Sequence, residues 1–263
     1  MTALLEVQGL GKRFPGTDAQ SAPWVVRELS FALREGEFVT LLGPSGAGKS
    51  TILNMIAQVD APSEGRIRLA GETVFDAAAP TPLRPGLDRK IGYVTQDDNL
   101  LPWRTLEENV LFGLEIEGRI DGVGRTHARE MMQAVGLAAY AGHYPHQLSG
   151  GMRKRAALIR TLVYDPPIIL MDEPFGALDA QTRQQLQSDL QSLWALKRKT
   201  IVFVTHDIAE AIALGDRVLI LERAPARLMA EHAVELPRPR VVDELLIQPD
   251  FVRLYDAIRA QVR

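Results

Sequence analysis

An α/β fold around a mainly parallel sheet is predicted by two features of the sequence. Short apolar runs bounded by turn residues alternate with helical patterns, and the runs at 168–171 and 201–204 are apolar almost throughout, as befits strands covered on both faces. In order, the predicted strands are "EFVTLLG" (37–43), "KIGYVT" (90–95), "IILMD" (168–172), "TIVFVT" (200–205) and "RVLIL" (217–221). Between Thr95 and Pro166 the pattern turns to helices only. "TLEENVLFGLEIEG" opens with a capping box from Thr105 to Glu108 and repeats Leu106, Val110 and Leu114 every fourth position. The division expected is therefore an α/β core over 1–95 and 166–234 and an inserted helical lobe over 96–165. "ELPRPR" (235–240) reads as a stiff boundary before a tail, 235–263, in which Phe251, Leu254, Tyr255, Ile258 and Val262 line one helix face.

Composition narrows the function. The 263 residues, 46% of them hydrophobic, can bury a sizeable core. No apolar run reaches the roughly 18 to 20 residues that cross a bilayer, and the first residues lack the basic and apolar regions of a signal peptide, so a soluble chain that stays where it is made is expected. The absence of cysteine excludes disulfides and cysteine-ligated zinc. A formal charge of −3 argues against a general polyanion surface, so any phosphate chemistry must be local.

The local site is "GPSGAGKST", Gly43-Pro44-Ser45-Gly46-Ala47-Gly48-Lys49-Ser50-Thr51, which follows a predicted strand and opens a predicted helix. It satisfies G-x-x-x-x-G-K-[ST] in the context that gives the motif meaning. Gly46 and Gly48 let backbone N–H groups curl around phosphate oxygens, Lys49 reaches β- and γ-phosphates, and Ser50 can ligate Mg²⁺. Such a site also needs a carboxylate for the metal. "IILMDEP" supplies Asp172 at the end of a buried strand, where α/β sheets place ligands. Glu173 beside it can polarise an attacking water; a strand-end salt bridge is its other reading. His206 ends the following strand, as a catalytic group or as a satisfied structural histidine. A second glycine cluster, "LSGGMRKR" from Leu148, stands at another predicted helix start, where anions are also favoured.

With these residues the chain resembles, over nearly its full length, the ATP-binding cassette (ABC) ATPases. "LSGGM" is similar to that family's signature motif and lies about 20 residues ahead of "ILMDEP". The resemblance implies a P-loop NTPase (RecA-like) core with an N-terminal antiparallel β portion, and ATP with Mg²⁺ as ligands. It implies that Ser149, Gly150 and Gly151 cap the γ-phosphate of ATP held by a second copy of the chain. It further implies that Phe14 stacks on adenine, although a core aromatic at a strand end is the alternative, and that Gln96 touches Mg²⁺ and the water. Asp179 would cross the dimer interface as well as N-cap the helix through Leu186, Leu190 and Leu193, and His206 would contact the γ-phosphate.

"NLLPWRTLEENV", together with "LSGGM" where most relatives carry Gln at the fifth place, resembles importers of the nitrate, sulfonate, taurine and bicarbonate group. Lys154 stands where Gln is expected, which leaves the Ser-Gly-Gly contact intact. The resemblance implies an ATP-hydrolysing subunit on the cytoplasmic face of the membrane. Its partners would be two permease subunits and, indirectly, an extracytoplasmic solute-binding protein, with no nucleic acid. The apolar group Leu100, Leu101 and Trp103 would meet a permease helix or be buried in the lobe. The alternative is a soluble ABC ATPase acting on nucleic acid or ribosomes, whose usual second cassette, coiled-coil insertions or zinc cysteines do not occur in these 263 residues.

Overall fold

Alternation sets the first layer. In 24–34 the buried residues Leu29, Phe31 and Leu33 lie between exposed ones, the pattern of an antiparallel strand with one covered face. In the computed structural model, which describes residues 3–14, 23–79, 90–176, 178–223 and 225–262, the strands are β1 (Ala3–Arg13), β2 (Trp24–Arg34), β3 (Phe38–Leu42), β4 (Glu64–Leu69), β5 (Glu72–Asp76), β6 (Ile91–Val94), β7 (Ile168–Asp172), β8 (Thr200–Thr205), β9 (Arg217–Leu221) and β10 (Leu228–Ala233). The α-helices are α1 (Lys49–Ile56), α2 (Leu106–Ile116), α3 (Gly122–Ala134), α4 (Gly150–Leu162), α5 (Ala180–Lys197), α6 (Ile208–Leu214), α7 (Val242–Leu245) and α8 (Pro249–Gln261). The five strands predicted from apolar runs are thus present, and the stretch between Thr95 and Pro166 is helical.

The described residues form two compact units, one within 1–87 and 198–263 and the other within 88–197. In the first, an antiparallel sheet runs β2-β1-β4-β5. The β4–β5 hairpin turns through Ala70 and Gly71, both at positive φ, the twist a two-residue hairpin needs. Beside it, β3 lies between β8 and β9 with both pairs parallel, and β10 closes on β9 antiparallel. Every residue of β3 and β8 is buried, which explains their continuous apolar sequences.

The tail belongs to the same core. Phe251 and Ile258 of α8 are buried with Ile212, Val218 and Ile220, and Leu254, Tyr255 and Val262 pack against that cluster. Within the segment expected to be a stiff boundary, Arg240 is buried and donates to the carbonyls of Ile212 and Gly215 near α6 and of Val234 and Leu236 after β10. Five donors in a planar fork satisfy these carbonyls at once, so the segment fastens the tail to α6. Burial, with Arg238 nearby, pushes the Arg240 pKa down to about 10, and the side chain stays charged at neutral pH.

The second unit holds more than the predicted helices. β6 and β7 pair in parallel, and α5 joins α2, α3 and α4. Its core combines Leu106, Val110 and Leu114 of α2 with Met131, Met132 and Ile159. Both halves of the capping box form: Thr105 Oγ1 accepts from the Glu108 N–H, and Glu108 accepts from the Thr105 N–H at 2.7 Å.

Candidate nucleotide site

In the first unit, β3 delivers the chain at Leu42 into the Gly43–Thr51 loop, and α1 carries it away. Gly46 and Gly48 have φ of +78° and +82°, a region closed to most side chains. At Gly48 a Cβ would also stand 3.1 Å from the Val25 carbonyl oxygen. The buried Lys49 turns back and donates from Nζ to the carbonyls of Gly43 (2.8 Å) and Pro44 (3.0 Å), which holds its ammonium inside the curl. α1 begins with no side-chain cap and no acidic residue in its first turn. Its amino end and a lysine held beside it are what a phosphate chain requires. Ser50 is exposed and Thr51 half-buried at this end.

His206 reaches the same edge. β8 pairs with β3 so that Thr205 faces Leu42, hence His206 and Gly43 leave neighbouring parallel strands side by side. The turn after His206 is fixed: Asp207 caps α6 by accepting from the Glu210 N–H at 3.1 Å, while Thr205 Oγ1 donates to Glu210 and accepts from the Asp207 N–H. Phe14, just after β1, is 44% exposed, with the Lys12 ammonium 4.8 Å from its ring centre. The core alternative for Phe14 therefore fails.

In the second unit, β7 ends in the buried Asp172 and the half-buried Glu173. Glu173 holds φ of +41°, an uncommon backbone for a non-glycine residue and one that clusters at functional sites. Val94 of β6 faces Met171 of β7, so Gln96, exposed two residues on, stands at the edge where Asp172 and Glu173 emerge. Among the described residues no three His, Cys, Asp or Glu side chains gather into a metal cage. The buried Asp172 carboxylate at this edge fits Mg²⁺, which takes one or two carboxylates together with phosphate oxygens.

The second glycine cluster lies in this unit too. Ser149 is the N-cap of α4 in extended backbone, its Oγ accepting from the Met152 N–H at 3.3 Å. An added Cβ at Gly151 would fall 2.6 Å from Thr182 Cγ2 of α5, whereas Gly150 has nothing within 4 Å. Asp179 accepts from the Thr182 N–H at 3.0 Å, the expected cap of α5, and that bond holds its carboxyl below the usual range. The capped starts of α4 and α5 are therefore neighbours.

Sequence reasoning missed Asn109. Fully buried on α2, it accepts from the Leu101 N–H at 2.7 Å and donates to the carbonyls of Leu101, Arg104 and Thr105, tying down the loop that carries Trp103. Trp103 itself is 71% exposed, while Leu100 is core, so the apolar group divides. A cleft of about 350 Å³ opens beside this loop, lined by Tyr93, Leu101, Phe112, Ile116, Arg160 and Tyr164 among others.

Residues 26–176 match the family described as ABC transporter. The taurine import ATP-binding protein of Rhizobium johnstonii is 42% identical over 237 residues, 88% of this chain and 86% of that protein. The aliphatic sulfonates import ATP-binding protein of Bacillus cereus is 40% identical over 216 residues, 82% and 81% of the two chains. A dimeric ATP-binding cassette in a post-hydrolysis state with ADP and Pi superposes with a TM-score of 0.76 at 33% identity, covering 89% of this chain and all of that one. The family match spans more than half of the 263 residues and includes the Gly43–Thr51 loop and Asp172, and the chain belongs to the ABC transporter family as an ATP-hydrolysing cassette.

Proposed function

We propose that this chain powers solute import, hydrolysing ATP as a dimer on the cytoplasmic face of the membrane beneath separate permease subunits. The observation that carries the reading is the Gly43–Thr51 loop, with its positive-φ glycines and Lys49 held in the curl at the bare start of α1. There the loop N–H groups bind the phosphates and Lys49 swings from its carbonyl partners onto the β- and γ-oxygens. Phe14 stacks on adenine, in keeping with its exposed ring. Ser50, Asp172 and Gln96 would hold Mg²⁺, which would supply positive charge against the transferring phosphoryl group. Glu173 accepts the proton of the attacking water, and His206 donates to the γ-phosphate. Ser149, Gly150 and Gly151 close over the nucleotide of the second copy, with Asp179 at the same interface.

The import reading is supported by relatives that bear taurine and sulfonate import names, and nitrate-, sulfonate- or taurine-type anions follow as the solute class. No helix among the described residues is long and apolar enough to cross a membrane. In this reading the permease supplies the pathway and an extracytoplasmic binding protein captures the solute. The exposed Trp103 and the neighbouring cleft suit an inserted permease segment, because Trp is a frequent anchor at such sites. The test is reconstitution of the chain with its permease and binding protein in vesicles, scoring ATP-driven uptake of taurine, alkanesulfonates and nitrate. Trp103→Ala should weaken capture of the permease about 10-fold or more while the chain's own ATPase stays within about 2-fold. Permease capture unchanged by that substitution removes Trp103 from the interface, and no uptake of any anion removes the import assignment.

A further inference from the structure

Lys154, the residue standing where the resemblance leads one to expect Gln, has a specific place in the second unit. It lies on α4 two residues beyond the Ser149 cap bond and donates through Nζ to the backbone carbonyl of Gln96. Its neighbours on that side of α4 bind the same segment. Arg153 pairs with Asp98, Nε to Oδ2 at 3.0 Å, and Arg160 donates to the carbonyls of Asp98 (2.9 Å) and Asn99 (2.7 Å). Residues 96–99 are thus held by three cations of one helix, 54 or more positions away in sequence. Asn99, at φ +45°, keeps the segment bent, and Thr95 Oγ1 accepts from its side-chain amide at 2.8 Å.

We infer that Lys154 is a positioning residue that fixes the Gln96 segment to the helix headed by Ser149, so that Gln96 and the partner-facing serine move as one piece. The inference rests on the proposed role of Gln96 in the ATP site. A cation donating to a main-chain oxygen sets the backbone of residue 96 and leaves the Gln96 side chain, which is exposed, available for the nucleotide. Lys154 is half-buried, and that burial lowers its pKa while Asp98 and Asp97 act in the opposite sense. A glutamine there is shorter and uncharged and would hold the carbonyl less tightly.

The experiment compares Lys154→Met, which keeps the stem and removes the ammonium, with Lys154→Arg and Gln96→Ala in the full chain. Amide hydrogen exchange at 96–99 reads the clamp without reference to catalysis. Lys154→Met should speed exchange there about 10-fold and lower kcat by a similar factor with the KM for ATP within about 2-fold, and Lys154→Arg should restore most of both. In a Gln96→Ala background Lys154→Met should cost little more, because the two act through one contact. Unchanged exchange in Lys154→Met overturns the clamp. Full additivity of the two kcat losses overturns the positioning of Gln96. If Gln96→Ala alone leaves turnover intact, the role proposed for Gln96 fails and the link to catalysis with it, while the exchange result still decides whether Lys154 anchors the segment.

Discussion

The glycine-rich starts of α1 and α4 are built on opposite plans. α1 is entered through Gly46 and Gly48 at positive φ, has no side-chain cap, and draws its own Lys49 into the loop. α4 is entered through Ser149 in ordinary extended backbone with a conventional serine cap, and neither Gly150 nor Gly151 has positive φ. The first plan makes a concave cradle that can enclose an anion unaided. The second leaves Ser149 and Gly150 exposed at a serine-capped helix end. Glycine serves conformation in the first and clearance in the second: Gly151 makes room for Thr182, and Gly150 leaves its surface bare. A cradle and an open end suit two halves of one composite site contributed by different copies.

The largest effect should come from the carboxylate edge. Glu173→Gln preserves size while removing the base, so hydrolysis should fall by about 100-fold or more while ATP still binds, and the variant should run as an ATP-dependent dimer on a sizing column. Normal turnover would remove Glu173 from the role of base. Lys49→Ala should also lower turnover about 100-fold, and here ATP binding and ATP-dependent dimerisation should be lost together. Retained dimerisation would mean that the open α4 end, rather than the cradle, supplies most of the nucleotide affinity.

Mixing sharpens the comparison further. Ser149→Arg blocks the open end and leaves that chain's own cradle whole, so each of Lys49→Ala and Ser149→Arg should be nearly inactive alone. In a mixed dimer both defects fall in one composite site, and the other site is intact. Random exchange gives about half mixed dimers, hence roughly a quarter of all sites restored. Single-turnover hydrolysis should recover to that fraction. No recovery there or in ATP-dependent dimerisation would place Ser149 on its own chain's phosphate.

The cradle was legible in sequence because its parts are contiguous: a buried strand, the glycines, Lys49 and a helix within 20 residues. The capping box at Thr105 and the Asp179 cap were legible for the same reason, each being a bond between residues three apart. Asn109 was not, since its partners are backbone atoms of a loop whose path is set by tertiary packing, and a polar residue on a helix usually faces water. The Lys154 contact was also hidden, because Gln96 lies 58 residues away. Sequence marked Lys154 as unusual without saying what it touches. "ELPRPR" suggested a spacer through its prolines, yet Arg240 goes inward because carbonyls at the ends of α6 and β10 need donors.

The smallest effects separate the two uses of glycine inside α4 itself. Gly151→Ala must push Thr182 aside, since 2.6 Å is well inside van der Waals contact, and should destabilise the chain by about 1–3 kcal/mol as an overpacking change. Gly150→Ala meets nothing and replaces glycine by a better helix former, so it should stabilise by about 0.5 kcal/mol, small because the position is the first of the helix. If the open end approaches the partner's nucleotide closely, Gly150→Ala should nevertheless weaken ATP-dependent dimerisation, as its methyl occupies the approach. Thermal unfolding and sizing with ATP, run on both variants, distinguish the cases. A more stable Gly150→Ala that dimerises normally would show that this glycine is free of the interface, and the composite contact would then fall to Ser149 and Gly151.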